Sequence, residues 1–85
     1  KPRKASRDEM LALKAEVRRC EDRLGKLNEM RDKLAVKLAD PELYEDARKG
    51  ELETWNRKYA ELMEALDKAE ALWMAAQEKL DLAAA

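Results

Sequence analysis

The feature that most constrains the fold of this 85-residue chain is a heptad repeat that runs through each half of its sequence. In the first half, a mostly apolar seam recurs at alternating spacings of three and four residues, through Met10, Leu13, Val17, Cys20, Leu24, Leu27, Arg31, Leu34 and Leu38. In the second half the same alternation runs through Leu52, Trp55, Tyr59, Leu62, Leu66, Ala69, Trp73, Ala76 and Leu80. A mean spacing of about 3.5 residues is typical of helices that pack as a coiled coil. We therefore expect two long helices, each with one seam.

Between the two repeats, the residue pair Asp40-Pro41 marks a turn. Proline disfavours helical geometry in the residue before it, so the first helix should end here, and the same pair can begin a new turn with Asp40 as its N-cap. Gly50 is typical of a left-handed residue that ends such a turn. The predicted boundaries are a basic linker over 1–7, a hairpin over 8–82 with helices 8–39, 41–48 and 51–82, and a tail over 83–85.

The two seams are expected to pack against each other within one chain. Pairing Leu38 with Leu52 at the tip sets a register in which every seam position faces another. The first 39 residues carry a net charge of +5 and the remainder −6, so the two halves attract each other, which favours a hairpin over pairing of like helices. The predicted fold class is all-α: a monomeric two-helix antiparallel coiled-coil hairpin with a short helical turn at its tip.

Composition excludes several classes of function. Val17, Val36 and Thr54 are the only β-branched residues, so a sheet would have little to pack with. The chain has no His and one Cys, which removes His-based acid-base chemistry, ordinary zinc sites and disulfides within the chain. Its two glycines lie in no phosphate-binding loop. We therefore expect no catalytic residue, metal or cofactor in this segment.

Three seam side chains, one thiol and two indole rings, could react or bind a partner. Packing in the core is the simpler interpretation of each. Cys20 falls opposite Ala69, where a small apolar group is wanted, so we expect an inert thiol rather than a reactive one. Trp55 and Trp73 are expected to pack in the core, with base stacking or partner docking as the alternative.

The sequence also bears on localisation. Its longest apolar stretch is far shorter than the about 20 residues of a membrane span, and no secretory signal is present. We expect a soluble, cytoplasmic protein without membrane contact. Because the chain begins with Lys1 rather than Met, we expect it to be a piece of a longer protein.

A basic stripe is the strongest candidate for a binding surface. Residues along one side of the first helix recur at spacings of four, three, seven and four, and the N-terminal segment continues their charge. Such a stripe can follow a phosphate backbone without reading its sequence, and the alternative is an ordinary solvated face. The predicted nucleic-acid-binding residues are Lys1, Arg3, Lys4, Arg7, Arg19, Arg23, Lys26, Lys33 and Lys37.

The tip is a second candidate. Leu43 and Tyr44 either fold back over the end of the seam or remain available to a partner, and Arg48 and Lys49 would present charge at the far end of the arm. The tip residues singled out are Asp40, Pro41, Leu43, Tyr44, Arg48 and Lys49.

The turn and the end of the second helix carry a resemblance to a known family. The segment LADPELYEDARKGELETW contains Asp40-Pro41-Glu42-Leu43-Tyr44, and ALDKAEALWMAAQEKL contains Trp73 followed by Gln77, Glu78 and Leu80. With the flanking heptads, these motifs resemble the C-terminal coiled-coil domain of ABC-F ATPases, in the Uup- and YheS-like branch. The resemblance covers nearly the whole chain.

This resemblance implies a soluble parent with two ATP-binding cassettes, which would hold ATP and Mg and act on ribosomes in translation, with DNA binding associated with its C-terminal domain. The segment would then be a non-enzymatic accessory arm that makes weak contact with DNA or ribosomal RNA beside its own ATPase domains. Two alternatives remain: a structural or protein-interaction coiled coil, for example a dimeric four-helix bundle, and a tRNA-gripping arm like those of synthetases.

Overall fold

The computed structural model describes residues 5–85 and shows a long helical hairpin. Helix α1 spans Arg7–Leu38 and helix α2 spans Lys49–Ala84, and two 3-10 segments, Pro41–Tyr44 and Asp46–Arg48, join them at the tip. The two long helices pack side by side in a body of 65 × 18 × 14 Å, and residues 5–85 contain no strand. The predicted fold class, an all-α two-helix hairpin, is confirmed. The predicted linker residues 1–4 lie outside the described part of the chain.

Helix α1 begins where its capping signal predicts. The Ser6 hydroxyl accepts a hydrogen bond from the backbone N–H of Glu9 at 3.2 Å, which satisfies one of the free donors of the first turn. The helix therefore starts at Arg7, one residue before the predicted boundary, and Arg7 belongs to the helix rather than to the linker. It ends at Leu38, where the N–H of Ala39 still bonds to the carbonyl oxygen of Ala35 at 3.0 Å.

The seam lies between the two helices, as the heptads predict. All eighteen seam positions are buried or half-buried, and the most enclosed are Val17, Leu62, Leu66, Ala69 and Ala76. Cys20 is a half-buried free thiol, and Trp55 and Trp73 are half-buried at opposite ends of the α2 seam. The two helices therefore bury their apolar seams against each other within a single chain, which is how an amphipathic helix gains most of its stability.

The tip departs from the predicted single helix over 41–48. Asp40 and Pro41 do act as N-cap and first residue, and the Asp40 carboxylate accepts from the N–H of Glu42 at 3.0 Å. At Glu45, however, the backbone is extended, with φ −70° and ψ 146°, so the helical path breaks into two short 3-10 pieces. Bonds from residue i to i+3 make a tighter turn than an α-helix, and this suits a chain that must reverse within ten residues.

The second long helix extends two residues beyond its predicted boundaries of 51 and 82 at each end. Gly50 has a negative φ and lies in the first turn of α2, so it does not form a left-handed cap. The chain passes directly from the 3-10 segment into α2 at Lys49, with Arg48, in a non-helical conformation of φ −113° and ψ 17°, as the N-cap of α2. At the other end α2 continues to Ala84, so 83–85 is not a separate tail.

No helix within residues 5–85 is long and apolar enough to cross a membrane.

Candidate nucleic-acid interface

The basic stripe forms on α1 as the periodicity predicts. Arg19, Arg23, Lys26 and Lys33 are exposed, and Lys37 is half-buried at the tip end. From first to last the stripe extends about 27 Å at the helical rise of 1.5 Å per residue. Each of the five residues directly precedes a seam residue in the sequence. The stripe therefore lies on the flank of α1, beside the seam rather than on the opposite face of the helix.

These cations are available to an external anion. Within residues 5–85, the side chains of Arg19, Arg23, Lys26 and Lys33 form no ion pair and no hydrogen bond. Exposed ion pairs are individually weak, so their absence costs the fold little. These four cations are therefore exposed without an ion-pair partner among residues 5–85, although Asp22 lies beside three of them.

Not all the predicted basic residues join this stripe. Lys1, Arg3 and Lys4 lie outside the described residues. Arg7 is exposed in the first turn of α1 but lies twelve residues before Arg19, a rotation of about 120° around the helix. The structure therefore brings together the five stripe residues of α1 and leaves Arg7 on a different side.

A groove beside the stripe adds a lysine that sequence reasoning missed. It has a volume of about 460 Å³ and an almost wholly apolar floor. Its lining comprises Leu27, Met30, Lys33 and Leu34 from α1 and Lys58, Glu61, Leu62 and Ala65 from α2. We call this the lysine groove. Leu27 and Leu62, which face each other in the predicted register, both line it. A second groove, lined by Arg19, Arg23, Lys26 and Asp22, adjoins the lysine groove at Leu27 and Met30.

Lys58 also contacts the aromatic ring near the tip. Its ammonium lies 4.8 Å from the centroid of the Trp55 ring, and the ammonium of Lys37 lies 5.5 Å from the same centroid. Both distances are within the range of cation–π attraction. Lysines of α1 and α2 thus meet on one side of the hairpin. Lys58 immediately precedes a seam residue in the sequence. In an antiparallel pair, this position lies on the flank of α2 that is next to the α1 stripe, and this sequence feature could have predicted its place in the site.

The opposite side of the seam carries the other sign of charge. A groove there, with a volume of about 400 Å³, is lined by Glu21 and Glu70, one from each helix, together with Leu24, Gly25, Asn28, Trp73 and Met74. The hairpin therefore has a side where lysines of both helices meet and a side where glutamates of both helices meet.

The tip residues are mostly structural. Leu43 is completely buried, and the Tyr44 hydroxyl donates to the carbonyl oxygen of Leu38 at 2.6 Å, which satisfies an acceptor at the end of α1. The Tyr44 ring remains 57% exposed. Leu43 folds back onto the end of the seam, one of the two possibilities that the sequence leaves open.

Arg48 is held in ion pairs, whereas Lys49 is exposed. The Arg48 guanidinium donates to both carboxylate oxygens of Glu51, at 2.8 and 3.1 Å, and lies 3.8 Å from Glu42. The hydrogen bond from Arg48 is the main cause that lowers the pKa of Glu51 below its ordinary value, and the same bond raises the pKa of Arg48. Lys37 adds a smaller electrostatic contribution to the lowering for Glu51. Of the two predicted tip cations, only Lys49 presents a free charge.

In the part of the chain that the structure describes, no three His, Cys, Asp or Glu side chains converge on a common point. The grooves are open channels along the helix pair, lined mainly by apolar groups and exposed charges. Small-molecule sites, by contrast, are concave pockets that bury most of the ligand surface.

Comparison of the chain with models of known protein families, with curated proteins and with solved structures found no match. The resemblance to ABC-F arms therefore rests on the turn and Trp73 motifs alone.

Proposed function

We propose that this hairpin is an accessory arm that grips the phosphate backbone of a nucleic acid through the α1 basic stripe. The observation that carries the proposal is the row of exposed cations, Arg19, Arg23, Lys26 and Lys33, none of which has a carboxylate partner within residues 5–85. Each phosphate that such a cation neutralises releases condensed counterions, which is a favourable and salt-dependent term. A straight helix flank that contacts only phosphates inserts no side chain into the grooves of the nucleic acid. It makes no contact with base edges, so binding is independent of base sequence.

The scale of the surface supports weak binding. Five stripe residues limit the number of phosphate contacts, and the chain as a whole has a net charge of −1. An arm of this kind adds affinity to a larger protein rather than acting alone, because a second linked site makes its own binding effectively intramolecular. As the motifs imply, we propose that the larger protein is a soluble ABC-F ATPase, which would supply ATP and Mg binding and the encounter with DNA or ribosomal RNA.

Fluorescence anisotropy across a salt series tests the binding proposal. We expect the chain to bind a labelled DNA duplex and a ribosomal RNA hairpin at 50 mM salt, with the five stripe contacts giving a logarithmic slope of about −4.5 on the duplex, at about −0.9 each. The relative affinities of the two probes choose between DNA and ribosomal RNA as the target. No binding at 50 mM salt, or binding without a salt slope, would contradict the proposal.

A matched pair of variants locates the surface. In one, Arg23, Lys26 and Lys33 are changed to Glu. In the control, Lys14, Arg18 and Arg57 are changed to Glu, which alters the net charge by the same amount at exposed positions outside the stripe. We expect the stripe variant to lose binding and the control to retain most of it. Equal losses would mean that only overall charge matters.

A second candidate function is a protein contact at the open end of the hairpin, near the start of α1 and the end of α2. Leu11, Leu72, Met74 and Leu82 are all more than half exposed there. Exposed apolar side chains that form one patch are typical of a protein interface, and Met30, Val36 and Tyr44 are exposed elsewhere on the hairpin. Sedimentation velocity at several concentrations tests self-association, and Leu72→Lys with Leu82→Lys should abolish any dimer that this surface forms.

A further inference from the structure

The lysine groove has a feature that the α1 stripe alone does not explain: its cations come from both helices. Lys33 of α1 and Lys58 of α2 line the same groove, and its floor is formed by Leu27, Leu34 and Leu62. The groove is an open channel, and both lysines are exposed beside its apolar floor. An anion that lies between them is attracted by cations of both helices at once.

Close to this groove, a second pair of ammonium groups is held by the Trp55 ring. Lys37 and Lys58 reach the same ring from opposite helices, at 5.5 and 4.8 Å from its centroid. Neither lysine forms an ion pair with any residue from 5 to 85. The carboxylate that acts on Lys37, that of Glu51, is already hydrogen-bonded to Arg48. Two lysines of like charge thus contact one ring, and the carboxylate that interacts with Lys37 is shared with Arg48.

The two sides of the hairpin differ in the number of acidic residues that line their grooves. Glu21 and Glu70 line the groove on the other side of the seam, so a polyanion is repelled there. Glu61 is the one acidic residue that lines the lysine groove, and Asp22 lines the adjoining groove beside Arg19, Arg23 and Lys26. Because cations outnumber carboxylates in both grooves, a chain of phosphates approaches more favourably from this side.

We propose that a nucleic-acid strand lies along the lysine groove, with its phosphates held between Lys33 and Lys37 on α1 and Lys58 on α2. The sugars then cover the apolar floor around Leu27 and Met30. This inference rests on the proposed function and extends it, because it makes α2 part of the binding surface and locates the strand at the junction of the helices. The occupant is a phosphodiester backbone, since it supplies evenly spaced anions together with less polar sugars.

The neighbouring residues Lys58 and Arg57 provide a matched comparison. Lys58 lines the groove, whereas Arg57 is exposed, lies outside the groove lining and is turned away by about 100° around the helix. We expect Lys58→Ala to weaken duplex binding about five- to tenfold at 100 mM salt and to reduce the salt slope by about 0.9, the contribution of one phosphate contact. Arg57→Ala should change neither. Lys58→Arg should restore binding, and Glu61→Gln should strengthen it.

Tryptophan fluorescence supplies an independent readout. The chain has two Trp, at 55 and 73, and Trp73 lies beside the acidic groove. In a Trp73→Phe variant, titration with oligonucleotide should change the emission of Trp55 as Lys37 and Lys58 turn to phosphates. In a Trp55→Phe variant, the emission of Trp73 should stay constant. Circular dichroism confirms that both variants keep their helix content.

The outcomes separate the two proposals. If the wild-type chain does not bind nucleic acid at 50 mM salt, the proposed function fails. If it binds but Lys58→Ala behaves like Arg57→Ala, the strand follows α1 alone and this inference is wrong. It is also wrong if the chain binds poly-glutamate of matched charge as tightly as the oligonucleotide, since the groove would then accept an acidic protein segment equally well.

Discussion

At the residue scale, Leu43 closes the tip of the hairpin. It is completely buried, although it comes from a short 3-10 segment with little stability of its own. Its side chain is therefore what attaches that segment to the end of the seam. The neighbouring Tyr44 contributes in a different way, through one hydrogen bond from its hydroxyl to the carbonyl oxygen of Leu38.

We expect Leu43→Ala to reduce the free energy of unfolding by about 2 to 5 kcal/mol, the range for emptying a buried leucine site. Tyr44→Phe should cost only about 0.5 to 1.5 kcal/mol, since it removes one hydrogen bond. Urea unfolding followed by circular dichroism measures both. If the two variants were equally destabilised, Leu43 would not be the residue that secures the tip.

The Arg48–Glu51 pair makes the stability of the tip depend on pH. The pKa of Glu51 is lower in the folded chain than its ordinary value of 4.5, chiefly because of the hydrogen bond from Arg48. A carboxyl whose pKa falls on folding stabilises the fold above its unfolded-state pKa and loses that contribution as pH falls through the folded value. The contribution is therefore complete above about pH 4.5 and disappears in more acidic solution.

We expect wild-type chain to be more stable than Glu51→Gln near pH 7, and the difference to shrink as the pH falls below 4.5. All other carboxyl groups are the same in the two chains, so their titration cancels in the difference in stability. Thermal unfolding from pH 3 to 7 measures this difference. The difference between the wild type and Arg48→Gln should change with pH in the same way. A difference that stayed constant across this range would show that the pair does not stabilise the fold.

At the element scale, the seam and the start of the tip could be predicted from sequence, and the rest of the tip could not. Burial repeats with the helix period, so the spacing from Met10 to Leu38 suffices to identify the residues that face α2. The extended backbone at Glu45 has no such periodic signal and no proline or glycine to mark it. Gly50 was assigned a left-handed cap on residue type alone, whereas the 3-10 segment before it leads directly into α2.

The candidate site shows a similar division. The stripe on α1 follows from periodicity within one helix, and the structure places its five residues on one flank. Lys58 belongs to the same surface only through the pairing of the two helices, so the periodicity of a single helix does not identify it. The predicted register at Leu38 and Leu52, extended from the seam to the flanking positions, places Lys58 beside the α1 stripe.

The two glycines test the corrected element boundaries. Both lie within helices at negative φ, and a Cβ built at either position meets no atom within 4 Å. We expect Gly25→Ala, in the middle of α1, to stabilise the chain by about 1 kcal/mol, and Gly50→Ala, in the first turn of α2, by about 0.4 to 1 kcal/mol. A left-handed cap at Gly50 would instead make its alanine variant less stable, and urea unfolding distinguishes the two results.

At the scale of the whole molecule, two properties follow from folding back at Asp40-Pro41. The eighteen seam positions face each other within one chain, so neither long helix keeps an open seam for a second copy. The antiparallel arrangement also places the lysine-rich flanks of both helices on one side and Glu21 and Glu70 on the other. A monomer keeps both sides accessible, whereas packing side by side in a bundle would cover at least one of them.

We therefore expect a monomer of 9.8 kDa whose shape in solution matches a hairpin. Small-angle X-ray scattering should give a radius of gyration near the 19.1 Å of the Cα positions and a longest dimension close to 65 Å. A single unbroken helix of 85 residues would be about 128 Å long at the helical rise of 1.5 Å per residue, so the two shapes cannot be confused. Sedimentation equilibrium over a hundredfold range of concentration should give one mass throughout. A doubled mass with the same length would mean that hairpins pair side by side, and the lysine groove would then have to be tested for burial between them.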